Sequence, residues 1–180
     1  MVKFLLIAVA AGTLTLSGCG ASPKTESERT SLAAEVSAAM EGFLSADPTL
    51  KALLDASAGY ALLPEVGKAG LGIGGSYGNG EVFEKGGKKI GYVELAEGTI
   101  GFQIGAQVFS ELIVFETAEA LTRFKAGEFT FAANATAVAI KPGAAAKNDP
   151  SSDVSVFVRT KGGLMAEASI GGQKLNFKPL

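Results

Sequence analysis

A chain of 180 residues, 47% apolar and 19% charged, is long enough for one domain with a real core and too apolar for wholesale disorder. Its formal charge of −2 removes the global attraction to phosphate backbones that a basic surface supplies. With no histidine and a single cysteine, it excludes Ser-His-Asp and Cys-His nucleophile systems, histidine-bearing zinc sites, thiolate cages and intramolecular disulfides.

The first twenty residues, MVKFLLIAVAAGTLTLSGCG, have the form of an export signal. Lys3 is a short positive region, and the apolar run from Phe4 to Leu16 is shorter than the ~20 residues that a membrane-crossing helix needs. The run closes on Leu16-Ser17-Gly18-Cys19, which resembles the bacterial lipobox, whose cysteine is lipidated and becomes the first residue after cleavage. Residues 1–18 are thus read as a cleaved lipoprotein signal peptide and Cys19 as the lipid attachment site (palmitate among its acyl groups). Gly20 follows where lipoproteins retained at the inner membrane of Gram-negative cells carry aspartate, so the expected location is the outer membrane, facing the periplasm, with a Gram-positive cell surface as the alternative. GASPKTESERTS, residues 20–31, is small and polar and reads as a flexible tether, with a root-mean-square reach of roughly 20 Å.

From residue 32 to 180 the pattern is that of one domain. Leu32, Val36, Met40, Phe43 and Leu44 recur at helical spacing. A second helix is punctuated by Asp47 as N-cap, Pro48 in its first turn and Gly59 at its end. The period then switches to two. YALLP, KAGLGIGGSYG, EVFEKGGKKIGYVEL, GTIGFQIGAQVFSELIVF, EFTFAANATAVAI, DVSVFVRT, GLMAEASIG and QKLNFK read as strands, with a hairpin turn at Gly86-Gly87. One helix interrupts them, ETAEALTRFKAG, with Thr117 as N-cap, Leu121 and Phe124 inward and Gly127 at its end. Residues 141–152 form the longest loop.

Gly70, Gly72 and Gly75 carry the spacing G-x-G-x-x-G, but a turn and a strand follow where a dinucleotide fingerprint opens a helix. Parity explains these glycines better. Gly70, Gly72, Gly74, Ser76 and Gly78 leave one strand face almost bare, and Gly101, Gln103, Gly105 and Gln107 do the same for another. Ala133, Ala135, Ala137 and Ala139 form a third small stripe, and the alternation Gly163 to Gly171 a fourth. Small faces on several strands suit a sheet that curls tightly or meets a second layer directly. The expected class is α+β: a strongly curved, largely antiparallel, partly closed sheet with two N-terminal helices and one further helix packed on it.

Three segments, GYALLPEVGKAGLGIGGSYGNGEV, GTIGFQIGAQVFSELIVFET and KGGLMAEASIGG, resemble in order the signatures of the SYLF-domain family, over about residues 30–178. The resemblance implies a non-enzymatic, lipid-binding module without a cofactor. Eukaryotic members bind phosphoinositides through a basic N-terminal segment and, in yeast cortical-actin regulators, actin. Here that segment carries Glu26, Glu28, Glu35 and Glu41 against Arg29, and no actin is expected in a bacterial envelope.

Candidate lipid-contacting residues are Lys85, Lys88 and Lys89 at the hairpin turn, which meet anionic headgroups or form a solvated tip. Lys68 and Lys161, each before a glycine-rich strand, flank a lipid entrance or cap strand ends, and Tyr77 lines such a mouth or belongs to the core. Two carboxylate pairs, Glu94 with Glu97 and Glu111 with Glu116, are what a hydrolase would need, or else lie on a polar strand face. No metal site is expected. The sequence reading is a lipid-binding envelope lipoprotein. The alternative is a structural or protein-interaction module of the envelope, whose partner protein the sequence does not name.

Overall fold

A computed structural model describes residues 22–127, 138–139, 153–163 and 173–180, with the side chains of 71–73, 99–105, 138–139 and 162–163 left undescribed. Cys19, the leader, the loop 141–152, and most of the alanine stripe and of the Gly163–Gly171 stripe lie outside these residues.

Helix α1 spans Glu26–Ala46. It begins six residues before Leu32, so residues 26–31, read as tether, are its first turns. The cause is a capping box: Thr25 Oγ1 accepts from Glu28 N at 3.2 Å, and Glu28 Oε2 accepts from Thr25 N at 3.0 Å. Leu32, Val36, Ala39 and Phe43 form its buried stripe. Helix α2 is Leu50–Ala56. Its N-cap is Thr49 and not the expected Asp47, and Pro48 precedes the helix; the Asp47 Oδ1 accepts from Thr49 N at 3.0 Å in the turn before it. Gly59, expected to end α2, instead opens the first strand, because Ser57 N already closes the helix on Leu53 O and Leu54 O.

The short strands expected after Gly59 merge into two very long ones, β1 (Gly59–Glu84) and β2 (Lys88–Phe115), paired antiparallel along their whole length. Gly86 and Gly87 join them with φ of 86° and 79°, a conformation that only glycine adopts cheaply and that matches the twist of a hairpin. Continuity survives because the ladder absorbs irregularities between Leu63 and Val66, Leu71 and Ile73, and Val82 and Phe83 instead of ending at them. Pro64, which has no N–H for the ladder, sits in the first of these shifts.

The ribbon then folds over on itself. Gly70 faces Gly105 and Gly75 faces Gly98 across the ladder at the bend. Beyond it, the second half of β1 returns antiparallel to the first. Lys85 N donates to Ala58 O at 2.9 Å. A Cβ on Gly78 would stand 2.9 Å from Glu65 O, one on Gly59 2.5 Å from Phe83 O, and one on Gly80 would collide with Leu62 O. At Gly78 and Gly80, then, the bare face of β1 is covered by the backbone of its own first half.

On its other side β2 carries β4 (Val154–Gly163) against Gln107–Phe115 and β5 (Lys174–Pro179) against Gly91–Ala96. A two-residue β3 (Val138–Ala139) runs parallel to β4. Sheet order is β1-β2-β4-β3 with β5 also on β2, largely antiparallel and curved as expected, and its ladder does not close into a barrel. Inside the fold-over lies one core, with Leu63, Val66, Val82, Val93, Leu95, Phe109, Ile113 and Phe115. Helix α3 (Ala118–Lys125) plugs its end with Leu121 and Phe124, whose ring lies 4.7 Å from that of Phe115. Its cap is the expected one, Ala120 N donating to Thr117 Oγ1 at 3.1 Å, and Gly127 ends it at φ 75°. Outside, α1 and α2 cover a second core built on Leu62, Tyr92, Leu112, Val114 and Phe157.

The fold-over yields a test. Gly80→Ala should lower the free energy of unfolding by about 1–3 kcal/mol, because backbone on the facing half must move. Gly67→Ala, where a Cβ meets nothing within 4 Å, should change it by less than about 0.5 kcal/mol. Urea denaturation of the two variants checks this, and equal losses would count against the direct contact of the β1 halves.

Candidate functional site

Two places gather chemistry among the described residues. The first is buried. Glu111 sits on β2 between Phe109 and Ile113, on the face that lines the inner core, and its side chain is inaccessible. Gln173 Nε2 donates to its Oε2 over a long 3.5 Å, while Glu111 Oε1, Gln173 Oε1 and Gln107 Oε1 are buried without a hydrogen bond. Burial pushes the Glu111 carboxyl up to about 8. The bond from Gln173 opposes this, the charge of Glu97 adds to it, and that of Lys68 works against it. Lys68 is itself buried, opposite Gln107 across the β1–β2 ladder, and Ser76 donates to Glu97 Oε2 at 3.0 Å.

Neither carboxylate pair expected for a hydrolase forms. Glu94 accepts from Ser22, and Glu116 accepts from Ser155 Oγ at 2.8 Å, far along the sheet from Glu111's partners. The carboxylate that Glu111 does feel is Glu97. A carboxyl raised to about 8 keeps its proton at neutral pH, which spares a mostly apolar core an ionised group. Gln107, on the small face of its strand, is buried, and Gln103 falls outside the described side chains. The burial of Glu111 had a signal in the alternation Phe109, Glu111, Ile113, Phe115, where one acid interrupts an apolar face. Among the described residues no group of three or more acidic or thiol ligands gathers for a metal.

The second place is on the surface. Met40, Leu44, Leu54 and Tyr60 floor a groove of about 450 Å³ between α1, α2 and the hairpin turn, with Lys51 and Lys85 on its rim. Tyr60 stacks on Phe83 at 4.9 Å between ring centres, which fixes that wall. The three hairpin lysines differ in their commitments. Lys85 is exposed beside the turn, Lys88 pairs with Glu84 at 3.1 Å, and Lys89 is held by the buried Glu81 at 2.8 Å while lying over the Tyr92 ring. The bond from Glu81 holds the Lys89 ammonium above its ordinary value.

Lys68 is not at a strand end but inside β1 and buried, and Tyr77 is half-buried on the same strand. Lys161 reaches Glu65 at 3.7 Å, tying the end of β4 to β1. The structure therefore brings Lys85 to an apolar groove, and places Lys68 and Tyr77 on a different part of the fold.

An α+β scaffold folded around its own backbone, with a groove outside and a neutral acid inside, has the character of a binding module. Residues 96–178 match the family model Ysc84, described as Las17-binding protein actin regulator, which fits the SYLF resemblance of the sequence. The match takes in β2 from Ala96 onward, α3, β3, β4 and β5 as far as Lys178; the start of β2, β1 and the two N-terminal helices precede it. No curated protein matches the chain.

Glu111 makes stability depend on pH. The unfolded chain releases its proton near 4.5 and the folded one only near 8, so between those values folding must take up a proton. Stability should therefore fall as pH rises through this window. Glu111→Gln should remove that slope and gain on the order of a few kcal/mol over the parent at pH 8 relative to pH 5. Urea midpoints at both pH values measure it; parallel slopes in parent and variant would refute the assignment.

Proposed function

We propose that this is a non-enzymatic lipid-binding lipoprotein of the cell envelope, held at the outer membrane through a lipidated Cys19 and facing the periplasm. The anchor rests on the lipobox Leu16-Ser17-Gly18-Cys19 behind its apolar run. The observation that carries lipid binding by the domain itself is the groove beside the hairpin turn. Its floor of Met40, Leu44, Leu54 and Tyr60 offers apolar area to an acyl chain, and of its charged lining, Lys51, Asp55, Glu84 and Lys85, the lysines suit an anionic headgroup while Glu84 is paired with Lys88. Lys51 is shared with Asp55 at 2.8 Å, which leaves Lys85 as the rim cation expected to matter most. The family description names Las17 binding and actin regulation; with an envelope leader, neither is proposed as a target of this chain.

A second reading, a structural or protein-interaction module, is favoured by one observation. The glycine face at Gly78 and Gly80 is filled by the chain's own backbone, so there the small residues serve packing and leave no room for a ligand.

Flotation separates the two. The mature chain carrying Cys19→Ser, which takes no lipid, should rise with anionic liposomes and less with neutral ones, and Lys85→Glu should weaken the anionic preference. A protein that stays at the bottom with both would leave membrane attachment to Cys19 alone and favour the interaction module.

A further inference from the structure

The chain joins the fold earlier than its composition suggests. Ser22 N and Ser22 Oγ both donate to Glu94 Oε1, at 2.6 and 2.7 Å, and Pro23 is buried beside them. Burial would raise the Glu94 carboxyl, but the two bonds from Ser22, with the charge of Lys178, outweigh it and hold the group below the ordinary carboxylate value. Only Gly20 and Ala21 separate this fixed point from Cys19. Three residue steps span at most about 11 Å, half the reach expected of a twelve-residue tether.

Strand β5 and the residues after it arrive at the same place. Strand β5 pairs with Gly91–Ala96, setting Lys178 opposite Tyr92, and Leu180 N donates to Ile90 O at 3.3 Å. A groove of about 470 Å³ runs between the Ser22–Lys24 segment and Lys178–Leu180, walled by Tyr92 and Glu94. Leu180 is 72% exposed, the one large apolar side chain so exposed among the described residues. Lys24, Arg29 and Lys178 line the same groove. The acids nearby are engaged: Glu94 by Ser22, Glu28 by the backbone N–H groups of Lys24 and Thr25, and Glu26 by Arg29 at 3.7 Å.

We infer that this terminal face is the bilayer-facing surface of the protein. Leu180 enters the interface, Lys24, Arg29 and Lys178 lie at the level of the lipid phosphates, and the Ser22–Glu94 link fixes the domain's orientation on the membrane. The inference rests on the lipidated Cys19 proposed above and adds to it a surface and an orientation. A short link pinned at Ser22 leaves the domain little freedom to turn another side toward the headgroups, and an exposed leucine on a groove that Lys24 and Lys178 also line suits an anionic bilayer. Helix α3 supplies the comparison. Phe177 turns toward it, at 5.8 Å from the Phe124 ring, so α3 lies across β5 from Lys178.

The test uses the lipidated protein in vesicles of phosphatidylethanolamine and phosphatidylglycerol with a headgroup-borne nitroxide quencher. Cys19 is the sole cysteine and its thiol carries the lipid, so Leu180→Cys or Glu119→Cys takes one fluorescent label at one place. Quenching at position 180 should exceed that at position 119, on α3, several-fold. Glu94→Ala, which frees Ser22, should bring the two values together while the protein stays on the vesicles. Equal quenching in the acylated, vesicle-bound parent would overturn the orientation and leave the anchor standing. A contrast that survives Glu94→Ala would overturn the part assigned to the Ser22 link. Protein recovered unacylated in the aqueous phase would overturn the Cys19 reading, and this inference with it.

Discussion

The whole arrangement depends on one contact, the backbone of β1 against itself. Where Gly80 meets Leu62 O and Gly78 meets Glu65 O, no side chain fits between the two halves of the strand. Glycine in a strand interior ordinarily weakens it, because its chain loses more freedom on folding and offers nothing to pack. Here that loss is offset by what the close approach allows. A ribbon more than twenty residues long doubles back, and one face of it encloses a core with very little sequence spent on connections.

The doubling determines the electrostatics as well. An inner face must be apolar, and Glu111 lies on it among Phe109, Ile113 and Phe115. An ionised carboxylate there would face several kcal/mol of uncompensated desolvation, so the group keeps its proton to about 8 instead. Lys68, also drawn inside, offsets the effect only in part. Outer faces obey a different rule: α1 and α2 cover Leu62, Leu112 and Val114, and where they stop short of the hairpin an apolar groove remains with lysines at its rim.

Much of this was legible residue by residue. Alternation marked the strands, Gly86-Gly87 marked the turn, Thr117 and Gly127 bounded α3, and the bare parity of Gly78 foretold a close approach. What failed to show was long-range in origin. Strand breaks were read at Pro64 and at the glycines, yet pairing with a partner of equal length carries β1 through them as shifts of register. The tether was read from composition, and it gives way at Ser22 because Glu94, 72 positions away, supplies the acceptor. Lys68 looked like a surface cation for the same reason: local sequence does not say which polar face will be folded inward.

By itself, then, the sequence determined the class of protein. It excluded histidine chemistry, thiolate cages and intramolecular disulfides, carried an apolar run ending in residues that resemble a lipobox, and set out a glycine-lined, mostly antiparallel sheet with three helices. Those properties follow from residue type and short-range period, which act within a few residues. Only the tertiary structure decided what the glycines face, that Glu111 is buried in the core with its carboxyl raised, and that Ser22 and the Lys178–Leu180 segment meet beside Glu94. Each of these depends on backbone and side chains brought together across tens of residues, and such meetings are settled by how the ribbon bends over its own core.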